Sequence, residues 1–253
     1  TATTEINTLS LHDALPISAI KASIDRGFPV EYGGEEDGLI VGYADGGRRW
    51  LCQHPYHKQG RERFWHDEVK GFAGGAWPWS IVVWGDWVPT EQRPAPAEAL
   101  VASLRQAVDM WGTEKRGDYW CGEAAYGHWL DWLRGVEGGT VANPKGGMQG
   151  NGWCYNVLLD NRAIAGRWLA QQAETCDGDV REQLLAAADH YRRMAEELIV
   201  GYGCPWSLTL GPGQFDQWTP QLRQEEIRRL EAAREHDRSA IAAIGKALAA
   251  MPR

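Results

Sequence analysis

Residues 24–43 read IDRGFPVEYGGEEDGLIVGY. Their apolar residues come in short runs between turn formers, which is the pattern of strands rather than of a helix. Pro29 to Tyr32 is a short extended run, and Leu39 to Tyr43 is apolar between Asp37-Gly38 and Asp45-Gly46-Gly47. Trp50 to Gln53 resumes beyond that glycine turn, which predicts a β-hairpin. Ser80 to Trp84 reads as a further strand closed by Gly85, with Pro55 to Trp79 as a loop. Just upstream, Ala19 to Asp25 reads as one short helix.

Downstream the period changes. Val88 to Pro96 holds three prolines and no periodicity, so it reads as the linker. Helices are then expected over Ala97 to Trp111, Asp118 to Arg134, Asn151 to Cys176, Asp179 to Leu198 and Thr219 to Ala250. Gly122, Tyr126, Trp129, Leu130 and Leu133 share one face of the second, and Val157, Ile164, Trp168 and Leu169 align on the third. Asp179 and Glu182 have capping-box spacing ahead of the stripe Val180, Leu184, Ala187, Tyr191, Met194 and Leu198. Thr219-Pro220 is a cap followed by proline. The Gly-rich segment 135–150 and segment 201–218 read as loops. Strands first and helices later predict an α+β protein: an antiparallel sheet over 19–90, then an all-helical region of about five helices over 97–253.

Segment 1–18, TATTEINTLSLHDALPIS, stands apart. It lacks Lys and Arg and has no long apolar centre, so it reads as neither a signal nor a transit peptide. It resembles the translation of a common sequencing adapter, matching from Thr3 to Ser18 except at Asn7, where the adapter encodes Tyr. The expectation is an adapter-derived segment joined to a chain that starts in mid-gene.

Composition excludes several classes. A hydrophobic share of 43% and a charged share of 24% describe an ordinary globular chain with a sizeable core, not a disordered one. Net charge is −8, which argues against a nucleic-acid partner. Runs such as Ile81 to Trp84 are far too short for a membrane span. Five scattered cysteines, an odd number, fit reduced thiols and a cytoplasmic setting. Cys121 and Cys154 read as core residues. No cofactor motif is present, since the glycines from Gly135 to Gly150 lack a Gly-Lys-Ser/Thr ending.

The stretch from Gly27 through Pro29-Val30, Val41-Gly42-Tyr43, Asp45-Gly46-Gly47 and His54-Pro55 to Ile81–Trp84 resembles the second half of a papain-like domain of the bacteriocin-leader peptidase type. The helical half, with Gly122 to Trp129, is similar to helices appended to such domains, and more remotely to the butirosin biosynthesis protein H-like acyltransferases. The resemblance implies Cys–His chemistry: a thiolate, a His that takes its proton, and a polar group that orients the His. Its His position, six residues before Gly42, is Glu36, and its Asp position is His54. A carboxylate with an ordinary pKa near about 4.3 does not replace an imidazole near about 6.5. The resemblance therefore supports the fold and speaks against a standard cysteine peptidase.

Two functions follow as expectations. The first is a non-peptidase papain-like protein that binds or recognises a peptide or small-molecule ligand, with Trp77, Trp79 and Trp84 crowding one strand as a cleft wall near Glu36. The second is acyl transfer or amide hydrolysis by a Cys upstream of residue 19, with His54 or His57 as base. Cys52, His54, His57 and His66 invite a metal reading, but no Cys-x-x-Cys or His-Glu-x-x-His spacing supports it, and no metal is assigned. Trp111, Trp120, Trp129, Trp132, Trp153 and Trp168 read mostly as core. Arg234 and Asp237 interrupt the last helix's stripe of Ile227, Leu230, Ile241, Ile244 and Leu248, and are spaced to pair with each other. Glu123, on a largely apolar face, needs a partner if buried.

Overall fold

The computed structural model describes residues 15–33, 37–55, 57–67, 80–86, 88–207 and 212–251. The chain divides into two compact units at Arg93/Pro94, within the Pro-rich linker. The protein is α+β, with a five-stranded antiparallel sheet and a helical C-terminal region.

The first unit opens with α1 (Leu15–Asp25), followed by β1 (Val30–Gly33), β2 (Asp37–Ala44), β3 (Arg49–Gln53), β4 (Phe64–Asp67) and β5 (Ser80–Val83). α1 starts four residues earlier than periodicity predicts. Pro16 costs no hydrogen bond in a first turn, and Ile17 adds an apolar contact on the sheet core. β4 lies inside the expected loop: its four residues, FWHD, are too short to carry a pattern of their own and are specified by pairing with β3.

The order across the sheet is β4-β3-β2-β1-β5. One row runs Phe64–Cys52–Ile40–Val30–Val83, and these side chains share a face because alternate residues point the same way. A bulge between Ile40 and Gly42 shifts the β2–β3 register, which returns Tyr43 to the side of Trp50. α1 covers this face with Ile17, Ile20 and Ile24. Burying each large apolar side chain contributes about 1.5–3 kcal/mol.

The second unit contains α2 (Pro96–Gly112), a hairpin of β6 (Lys115–Arg116) and β7 (Tyr119–Trp120), then α3 (Gly122–Glu137), α4 (Pro144–Ala173), α5 (Gly178–Ile199) and α6 (Pro220–Ala250). α6 packs against α2, α3 and α5, and α5 packs against α4. Leu104, Leu130, Tyr155, Leu184, Leu198, Leu230 and Ile244 lie in one continuous core.

Several expectations change here. The helix read from Asp118 starts at Gly122, because Gly117-Asp118 turns a hairpin instead. α4 begins within the expected loop: Asn143 accepts a hydrogen bond from Gly146 N and Pro144 follows, so cap and proline outweigh the glycines. α5 is capped at Asp177 without a side-chain bond, so the Asp179/Glu182 box does not form. On α4 the buried residues include Met148, Tyr155, Leu159, Gly166 and Leu169, whereas Val157 and Ile164 are 58% and 55% exposed. Small residues let α5 approach on that inner face, so the bulky pair is left outside. Cys154 is exposed and Trp153 is 51% exposed, so neither is core. Trp206 and Trp218 are the buried tryptophans of the 201–218 segment.

Among the described residues no helix is long and apolar enough to cross a membrane.

Candidate functional site

In the first unit the chemistry gathers at one end of the α1-covered face. Tyr32 pairs with Gly38 across the β1–β2 ladder, and His54 follows β3 on the same row. The Tyr32 and His54 rings lie 5.7 Å apart over Gly38. A Cβ at Gly38 would stand 2.7 Å from both rings, so glycine is required there. Cys52, Tyr32 and His54 are all buried. Burial pushes the Cys52 thiol up to about 12, although its hydrogen bond with Tyr32 pulls the other way. Burial, then the neighbouring Cys52, raises the Tyr32 hydroxyl above its usual range. This end of the sheet therefore holds neutral thiol and phenol groups at ordinary pH.

His57 lies on the turn that follows. Its N–H donates to the His54 carbonyl at 3.0 Å, and its ring rests 4.4 Å from Phe64. Phe64 in turn touches His66, at 4.6 Å. Thus His54, His57 and His66 gather on one side of the sheet and are spaced by aromatic rings. Among the described residues no group of three or more His, Cys, Asp or Glu side chains could share a metal ion.

Trp84 is 44% exposed just beyond β5, next to the Arg26–Asp86 ion pair. Glu36, Trp77 and Trp79 lie outside the described residues.

The second unit holds an open cleft of about 450 Å³ between the end of α2, α3 and α6. Trp111, Ala124, Gly127 and His128 line it, and Glu114, Glu123, Asp131 and Arg234 supply charge of both signs. The Trp120 ring stacks on His128, and Lys115 sits 4.0 Å above Trp120. No sequence period marks this cleft, because its parts come from three helices and from Thr113 and Glu114 just after α2. The signal available was Glu123 among aromatics.

Arg234 and Asp237 do not pair with each other. Arg234 and Arg238 both donate to Glu123, while Asp237, fully buried, accepts from Tyr126 at 3.1 Å and Arg162 at 2.9 Å. Arg234 meets Glu123 of α3, whereas Asp237 is held between Tyr126 of α3 and Arg162 of α4, so helical spacing does not decide their partners. Burial would raise the Glu123 carboxyl, but hydrogen bonds from Arg238 and Arg234 outweigh it and hold the group below its ordinary value.

A second polar group lies wholly within the core. Trp129 Nε1 donates to Asn151 Oδ1 at 2.6 Å, Asn151 Nδ2 to Glu226 Oε1 at 2.7 Å, and Trp218 Nε1 to Glu226 Oε2 at 3.0 Å. Every one of these polar atoms has its partner, so the network ties α3, α4, α6 and the 201–218 segment together. No family model, no curated protein and no solved structure matches this chain.

Proposed function

We propose that the chain is a non-peptidase, papain-like protein that binds or recognises a peptide or small-molecule ligand. The observation that carries this reading is the burial of Cys52 and His54. Burial holds the thiol well above its ordinary range, and the His54 ring packs against Tyr32. Nucleophilic catalysis needs an accessible thiolate with its base in reach, so Cys52 does not serve as a nucleophile, and His54, buried against Tyr32, is ill placed to serve as base for a Cys elsewhere. The ligand class is supported by the helical cleft, where Trp111 offers an aromatic wall, Glu114 an anionic group, and the Glu123–Arg234 ion pair both signs of charge to a polar ligand.

Calorimetric titration with a tripeptide carrying free amino and carboxyl ends tests this. Gly127 lines the cleft and has open space where a Cβ would go, so Gly127→Leu places a bulky side chain in the cleft. Binding by the wild type, lost in Gly127→Leu with circular dichroism unchanged, supports the reading. Absence of binding to the wild type, or equal binding by both proteins, overturns it.

The second reading, acyl transfer or amide hydrolysis, rests on His57, which is only half-buried and lies beside His54. Turnover that disappears in His57→Ala or His54→Ala would put it first.

A further inference from the structure

The outward face of α4 carries a pattern that the monomer does not use. Trp153, Val157, Asp160, Ile164 and Arg167 follow at alternating steps of four and three residues, and all are exposed. Asp160 and Arg167 of this stripe line an open groove of about 610 Å³ between α4 and α5, together with Ala163, Gly166, Ala170, Ala188 and Ala195. Leu185 and Ile199 of α5 are also exposed. Small residues lining a groove allow another helix to approach closely.

The charges identify the occupant. The rim charges of α5 satisfy one another: Asp189 and Glu196 pair with Arg192 at 2.6 and 2.5 Å. Asp160 and Arg167 of α4 have no ion-pair partner among the described residues. They stand two helical turns apart, about 10.5 Å along the axis. A two-fold axis level with Ala163 and Ile164 would run a second α4 antiparallel to the first. Asp160 of each copy would then face Arg167 of the other, and Ile164 would meet its counterpart at the centre. The same patch would answer both of its own unpaired charges.

We propose that this face joins two copies of the chain through their α4–α5 hairpins.

Sedimentation velocity on the full chain, from about 1 to about 100 µM, tests the proposal. The wild type should pass from monomer to dimer across that range. Asp160→Arg and Arg167→Asp, each placing like charges in contact, should weaken the dimer at least about tenfold. The double variant carrying both changes should restore it to within about threefold, because each reversed pair is again complementary. Circular dichroism should be unchanged throughout, since both positions are exposed. A wild type monomeric over the whole range, single reversals without effect, or a double variant that fails to recover would each overturn the proposal.

Discussion

Glu226 is fully buried, and the groups that reach it, the Asn151 amide and the Trp218 indole, are neutral donors. Burial pushes its carboxyl up to about 8, against those two hydrogen bonds. In the unfolded chain it ionises near about 4.5, so between the two values the native state holds more protons. Stability is therefore fully present below about 4.5 and falls as pH rises toward 8. Thermal melts should show the wild type losing up to about 5 kcal/mol over this window, with Glu226→Gln losing markedly less. Equal slopes would show that Glu226 is ionised in the native state. None of this was legible in the sequence, where Glu226 sits in the charged run QEEIRR. Its burial is set by residues 8 and 75 positions away. In the sequence Gly122 shows only as a helix-face residue. It has φ +48, and a Cβ there would overlap the Trp111 backbone. Gly122→Ala should cost about 3 kcal/mol or more in urea unfolding, because neither contact is with a flexible side-chain end.

At the scale of elements, a pattern was readable where it was long and wrote its own ends. β2, β3, α2, α5 and α6 follow their sequence signals to within a residue or two. α4 shows where the signals conflict. Its first turns hold Gly146, Gly147, Gly150 and Gly152, which argue against a helix, while Asn143-Pro144 argues for a start. The cap prevails because Met148, Asn151 and Tyr155 find buried partners on the inner face. Two substitutions separate the contributions. Asn143→Ala should cost about 1 kcal/mol through loss of the cap. Gly150→Ala, which meets no atom within 4 Å, should gain up to about 1 kcal/mol. Chemical denaturation of both variants measures the two effects on one helix. The same element explains the misread stripe: Val157 and Ile164 have helical spacing, but spacing does not say which face turns inward.

For the whole molecule, the α+β order and the linker near residue 90 were legible because period and proline content both change there. The candidate site was legible only in part. His54 and His57 do gather at the end of the sheet, whereas the helical cleft is assembled from residues as distant as Trp111 and Arg234. Each unit has its own hydrophobic core. The segment Pro94–Arg253 expressed alone should accordingly fold cooperatively, with dispersed amide resonances, and a collapsed spectrum would contradict that independence. The central claim is binding without turnover. Mass spectrometry of a peptide after prolonged incubation with a stoichiometric amount of the full chain tests it most directly. The account predicts that the peptide is bound and recovered intact; cleaved or acyl-transferred products that vanish in His57→Ala would contradict it.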